Sequence, residues 1–145
     1  MTIRLEGHKL VATYRVRGYH IDVNGHVNNA QYLHFLEDAR DDSLRFLGVS
    51  APDLEARGIH LFLSEVHLRF ERPAVYGDEL EVWGWLSMLG RAIAVWTMEI
   101  RRAGAGDLLT RCTLRVACVD GQGHVIPIPA DLHAQLETIY APEKK

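Results

Sequence analysis

The chain has 145 residues, 48% of them hydrophobic and 24% charged, enough for one domain with a single core. With 16 basic and 19 acidic residues the net charge is −3, and no run of one sign stands out, which argues against a dedicated nucleic-acid binder. No stretch is long and apolar enough to span a membrane, and the N-terminal MTIRLEGHK lacks a signal-peptide core, so the expected location is the cytoplasm.

Along residues 9–17, Leu10, Ala12, Tyr14 and Val16 alternate with Lys9, Thr13, Arg15 and Arg17, the pattern of a half-buried strand. The stretch GYHIDVNGHVNNAQY follows (Gly18 to Tyr32), with one Asp, three Asn and two His. After it the period changes. Tyr32, Leu33, Leu36, Ala39, Ser43, Leu44 and Leu47 recur at three- and four-residue steps, predicting an amphipathic helix of about five turns. Asn28 or Asn29 is placed to cap its start and Gly48 to end it. Ser50 to Arg57 predicts a second, short helix.

From residue 60 the period is two. Strands are expected around Val66–Phe70, Leu80–Met88, 92–101 and 108–119, with turns at Leu89–Arg91, Ala103–Asp107 and Asp120–Gly123. Four consecutive strands with short links predict an antiparallel meander. Residues 130–139 predict a last short helix, and the tail PEKK is expected to fray. A single long helix with an apolar stripe needs a large partner. The expected fold class is therefore α+β: a curved antiparallel sheet of about five strands wrapped around one helix, a single domain over 1–145 with its core at about 9–120. The two cysteines, Cys112 and Cys118, fall on one face of one strand roughly 20 Å apart, too far for a disulfide, and read as small buried residues.

Three motifs carry a resemblance. Asp22-Val-Asn-Gly-His-Val-Asn-Asn-Ala-Gln-Tyr32 precedes the helix, Phe35-Leu-Glu-Asp-Ala-Arg40 lies on it, and Arg69-Phe-Glu-Arg-Pro-Ala-Val-Tyr-Gly-Asp-Glu-Leu80 joins two strands. With the order of elements, they resemble the hotdog-fold thioesterases, most nearly the 4-hydroxybenzoyl-CoA thioesterase-like group, over about residues 9 to 120. The resemblance implies an acyl-CoA or aroyl-CoA thioesterase with Asp22 as the catalytic carboxylate. The Asp-x-Asn-x-His pattern is also similar to the plant acyl-carrier-protein thioesterases, and assigns Asn24 and His26 to the site. Many bacterial relatives carry Tyr-His where this chain has Asn28-Asn29. Other hotdog thioesterases keep their carboxylate within the long helix, which makes Glu37 a secondary candidate.

The chemistry agrees with that placement. Thioester hydrolysis needs a carboxylate that activates water or attacks directly, and stabilisation of the developing oxyanion. A helix N-terminus supplies free N–H groups and a positive dipole end. The plainer reading of Asp22, an Asx-turn, stays open beside the catalytic one. Asn28, Asn29, Tyr32 and Glu37 are candidate substrate contacts, and Arg69, Arg72 and Arg91 are candidates for CoA phosphates. Neither a cofactor nor a metal is expected: His20 and His26 have no third ligand at a recognisable spacing. The expected assembly is a homodimer, with a tetramer as a further possibility. Trp83 and Trp85 are placed to cover an interface, and each site is shared between subunits near His60 to Ser64. Beside the hydrolase stands the reading of a non-catalytic hotdog protein that binds acyl ligands or assembles with a partner; a hotdog dehydratase fits the loop less well.

Overall fold

The computed structural model describes residues 2–143; Met1 and the last two residues of the expected frayed tail, Lys144 and Lys145, lie outside it. The elements in order are β1 (Ile3–Glu6), β2 (Lys9–Arg15), a 3-10 turn (Gly18–His20), α1 (Asn29–Phe46), α2 (Ala51–Ala56), β3 (His60–Phe70), β4 (Glu79–Leu89), β5 (Ile93–Arg102), β6 (Leu108–Val119) and α3 (Ala130–Glu137). The strands form one antiparallel sheet in the order β1-β2-β4-β5-β6-β3, curved around α1 in the hotdog arrangement.

Two features correct the sequence reading. The sheet has six strands rather than about five, because the N-terminal residues pair with β2 as a short, largely exposed hairpin strand. The meander holds only for β4–β5–β6; β3 leaves it and pairs with β6 at the opposite edge. The eight residues between β3 and β4 make that crossing.

α1 forms where the apolar period predicts it. Tyr32, Phe35, Leu36, Ala39 and Ser43 make its buried stripe. Ser43 hides its hydroxyl by donating to the Ala39 carbonyl one turn back. Asn28 caps the start, its side chain accepting the Ala30 N–H at 2.9 Å. The end is a Schellman motif, with Gly48 N–H on the Arg45 carbonyl and Val49 N–H on the Leu44 carbonyl. The stripe packs on the concave face of the sheet, against Leu10, Val82, Leu86, Trp96, Met98, Ile100 and Leu114, all buried. Gly84 opens room there: a Cβ at that position would stand 3.2 Å from Met98 Cε and 3.4 Å from the Trp96 ring. Cys112 and Cys118 are free and buried, as their shared face predicts. Burial pushes the Cys112 thiol up to about 11.

On the convex face Trp83 stands beside buried Val11 and Glu99, and Trp85 beside Thr97, and both rings are covered in part from within the chain. The Lys9 ammonium lies 3.9 Å over the Trp85 ring, and the Arg4 guanidinium 6.0 Å from Trp83. Trp85 is buried. The larger apolar exposure is on the edge strand β3, where Phe62 is 60%, Leu63 37% and Phe70 46% exposed. No helix among the described residues is long and apolar enough to cross a membrane.

Candidate active site

The polar stretch before α1 is a tight loop that its own side chains organise. Asp22 N–H donates to the His26 carbonyl at 2.9 Å, and Gly25 N–H donates back to the Asp22 carbonyl at 3.0 Å. Gly25 takes φ +78°, a left-handed conformation that glycine adopts without steric cost. Asp22 Oδ1 accepts the Asn24 N–H at 2.9 Å. The Asx-turn is therefore real, but it uses one carboxylate oxygen; Oδ2 accepts no hydrogen bond among the described residues.

The loop is tied to the corner between β3 and β4. Val27 N–H donates to the Ala74 carbonyl at 2.9 Å. The Tyr32 hydroxyl accepts the Ala74 N–H at 3.0 Å, and burial raises the pKa of that phenol. Asp78, from the Gly-Asp-Glu part of the third motif, accepts the Val75 N–H and pairs with Arg102, whose guanidinium also donates to the Pro73 carbonyl. Two motifs some fifty residues apart in sequence thus form one rigid wall.

Between them lies a depression lined by Asp22, Asn24, His26, Val27, Asn29, Tyr32, Phe70, Glu71, Arg72 and Pro73. It opens at the N-terminus of α1. The Asn28 side chain takes the Ala30 N–H and the Asn28 carbonyl takes the Gln31 N–H. The Asn29 N–H is left without an acceptor among the described residues, and a helix's first N–H is a natural donor to negative charge.

Of the residues the sequence singles out, Asp22, Asn24, His26, Asn29, Tyr32 and Arg72 come together here, and Asn28 serves as the cap. Like Asn28, three others do not line the depression. Glu37 lies two turns along α1 beside a separate cavity. Arg69 is an exposed β3 residue paired with Glu71 at 2.8 Å. Arg91 sits in the β4–β5 turn, its carbonyl accepting from Ile128 N–H. Phe70, Glu71 and Pro73 also line the depression, and the third motif contains them, but nothing in a linear pattern tells which residues of a corner turn inward.

His20, two residues before Asp22, faces the other way. Its Nδ1 accepts the Arg17 N–H at 2.8 Å, and its ring packs on Phe35 at 4.6 Å. It shares a second depression with Tyr14, Arg17 and Asp38.

A family model described as the thioesterase-like superfamily matches residues 16–136. The chain is 34% identical over 106 residues to the long-chain acyl-CoA thioesterase FadM of Escherichia coli (strain K12), covering 73% of this chain and 80% of that protein. Among solved structures it is similar to YbaW, a probable thioesterase from Escherichia coli, with a TM-score of 0.78, 28% identity and coverage of 90% and 98% of the two chains. The fold is also shared with Slr0204, a 1,4-dihydroxy-2-naphthoyl-CoA thioesterase from Synechocystis, at a TM-score of 0.83, 22% identity and coverage of 88% and 95%. With its fold, its loop and these likenesses agreeing, the chain belongs to the thioesterase-like superfamily and is a thioester hydrolase.

Proposed function

We propose that the protein hydrolyses an acyl-CoA or aroyl-CoA thioester to the free acid and CoA, with Asp22 as the catalytic carboxylate. One observation carries this reading. Asp22 lines the depression at the start of α1 and is clamped through Oδ1, while its Oδ2 has no partner among the described residues. Fixing one oxygen orients the other at small entropic cost during reaction, the condition for an effective base or nucleophile. On the direct route Asp22 takes a proton from water as the water oxygen bonds to the thioester carbonyl carbon, and collapse breaks the C–S bond, the CoA sulfur leaving and taking up that proton. On the covalent route Asp22 attacks the carbon itself, the C–S bond breaks as the CoA thiolate leaves, and water then hydrolyses the resulting anhydride to the free acid and Asp22. The carbonyl oxygen gains charge in the transition state and is met by the Asn29 N–H at the positive end of the helix. Asn24 and His26, on the same rim, orient the water and the thioester. Arg72, exposed at the edge of the depression, is placed for a CoA phosphate. The likeness to a long-chain acyl-CoA thioesterase supports a CoA ester as substrate.

The same reading includes a homodimer. β3 is an 11-residue edge strand carrying exposed Phe62, Leu63 and Phe70, an open ladder that a second β3 can complete. Pairing there brings Phe70, which lines the Asp22 depression, to the subunit boundary, so that a partner contributes to each site. Two measurements test the proposal. Thiol release over a panel of aliphatic and aromatic CoA esters is expected to show turnover with at least one class; no turnover with any of them sinks the hydrolase assignment to CoA esters. Light scattering after size exclusion at micromolar protein is expected to give a dimer or a tetramer, and a stable, fully active monomer removes the shared site.

A further inference from the structure

A second cavity lies under the C-terminal half of α1, away from the Asp22 depression. It measures about 180 Å³ and is walled chiefly by Leu44, Leu61, Leu86, Trp96, Val116 and Leu136. An aliphatic cavity of roughly 150 Å³ stays dry and takes up benzene, so this one has room for an aromatic ring or a short hydrocarbon segment.

The wall is not wholly apolar. Glu37, Arg40 and Asp41 border the cavity. Arg40 is half-buried, and its Nε is shut off from solvent with no hydrogen-bond partner among the described residues. Its guanidinium enters no ion pair among them either. A buried donor left unmet is costly, and a ligand with an acceptor at that point relieves that cost whereas a plain hydrocarbon does not. Burial lowers the Arg40 pKa and Glu37 opposes that shift; an arginine nonetheless keeps its charge.

The neighbouring charges select the acceptor. A carboxylate or phosphate would meet two acidic groups, Glu37 and Asp41, against one guanidinium. A hydroxyl does not have that conflict, because it accepts from Nε and donates its own proton to a carboxylate.

We propose that this cavity binds a hydroxylated apolar group, a hydroxyaryl or hydroxyalkyl unit, with its hydrocarbon against Leu61, Trp96 and Val116 and its hydroxyl on Arg40 Nε. Two sources share that chemistry: the distal part of an acyl group whose thioester lies at the other end of α1, and a free hydroxylated molecule. Arg40 is roughly 16 Å along the helix from Asn29 at about 1.5 Å per residue, so only an extended acyl group spans the two. The first source rests on the Asp22 reading; the binding site itself does not.

Calorimetric titration of the intact protein with p-cresol and with toluene tests it. p-Cresol is expected to bind at least about tenfold more tightly, the discrimination that one relieved donor gives. Arg40→Met keeps the apolar stem, and is expected to retain toluene binding while bringing the two affinities within about twofold. Glu37→Gln is expected to weaken p-cresol alone. Equal affinities in the unmodified protein, no binding of either probe at millimolar concentration, or a preference unchanged in Arg40→Met would each overturn the proposal. So would an Arg40→Met protein that loses only its oligomeric state, since the guanidinium would then serve a subunit contact. Among outcomes that uphold the site, competitive inhibition of long-chain thioester hydrolysis by p-cresol identifies the acyl group as the occupant. Binding without inhibition identifies a free ligand. The titrations use no thioester, so their failure leaves the Asp22 assignment standing, and inactivity of the enzyme leaves the titrations standing.

Discussion

The segment before α1 lines two depressions, with Asp22 in one and His20 in the other, and the two are built oppositely. On one side Asp22 has one oxygen held and the other without a partner among the described residues, in a depression that also holds Asn24, His26 and Asn29. On the other side the polar groups are turned toward one another. Tyr14 donates to Asp42 Oδ2 at 2.6 Å, and burial together with that carboxylate pushes the phenol pKa far up. His20 is buried with Nδ1 occupied, and burial followed by the Arg17 charge lowers its pKa. Asp38 is raised, first by burial and then by the like charge of Asp42. On this second side the shifted values follow burial, and Tyr14 and His20 have their polar contacts met within the chain. A perturbed pKa therefore marks burial here, whereas the candidate for chemistry is marked by an oriented group with an unused lone pair.

Substitutions can break or sharpen that contrast. The largest effect is expected from Asp22→Asn, which keeps the Asx-turn acceptor and removes the base or nucleophile. Thioester turnover should fall at least about a hundredfold, near 2.7 kcal/mol on the barrier, with the melting temperature little changed. Turnover close to the unmodified protein, in a folded variant, would erase the distinction between the two sides.

Tyr14→Phe should do the reverse. Losing a part-buried hydrogen bond to a carboxylate is expected to cost about 1.5–3 kcal/mol of stability, read by urea denaturation, with kcat held within about twofold. A selective loss of kcat would move the second depression into the mechanism.

A smaller effect belongs to His20. Its folded pKa lies below the unfolded value of about 6.5, so the unfolded chain binds the proton more readily and stability falls as pH drops below that value. His20→Asn preserves an acceptor for the Arg17 N–H, and should flatten the dependence of stability on pH between about 5 and 7. An unchanged slope would show that His20 does not control it.

The smallest effect is expected from Asp38→Asn. Burial and then the like charges of Asp42, Glu37 and Asp41 disfavour the Asp38 charge in the fold, so removing it should raise the melting temperature slightly, by about 2 °C at low salt. The gain should shrink in high salt as screening takes over the same task. A drop instead would mean that the Asp38 charge is used.

Much of this molecule was legible in the chain because it is local. The three- and four-residue recurrence from Tyr32 to Leu47 reports a helix with one buried face, and Asn28 and Gly48 punctuate it by hydrogen bonds to nearest neighbours. The alternation from residue 60 onward reports strands, since a side chain's face depends only on the parity of its position. Asp22, Asn24 and His26 share one short loop, so their proximity was fixed by the loop length. What crosses the sheet was not legible. β1 is four residues of edge strand with little burial to pattern it, and β3 pairs with β6 rather than β4 because the whole concave face must close over α1. Whether Glu37 meets Asp22, or lies two turns away beside an Arg40 whose Nε has no partner among the described residues, depends on how far the helix carries it from the loop. Trp83 and Trp85 looked uncovered by parity alone, yet Arg4 and Lys9 reach over them from the neighbouring strands. Period and capping are properties of consecutive residues, whereas strand order, cavities and the partners of a buried charge come from long-range packing, which only the tertiary structure decides.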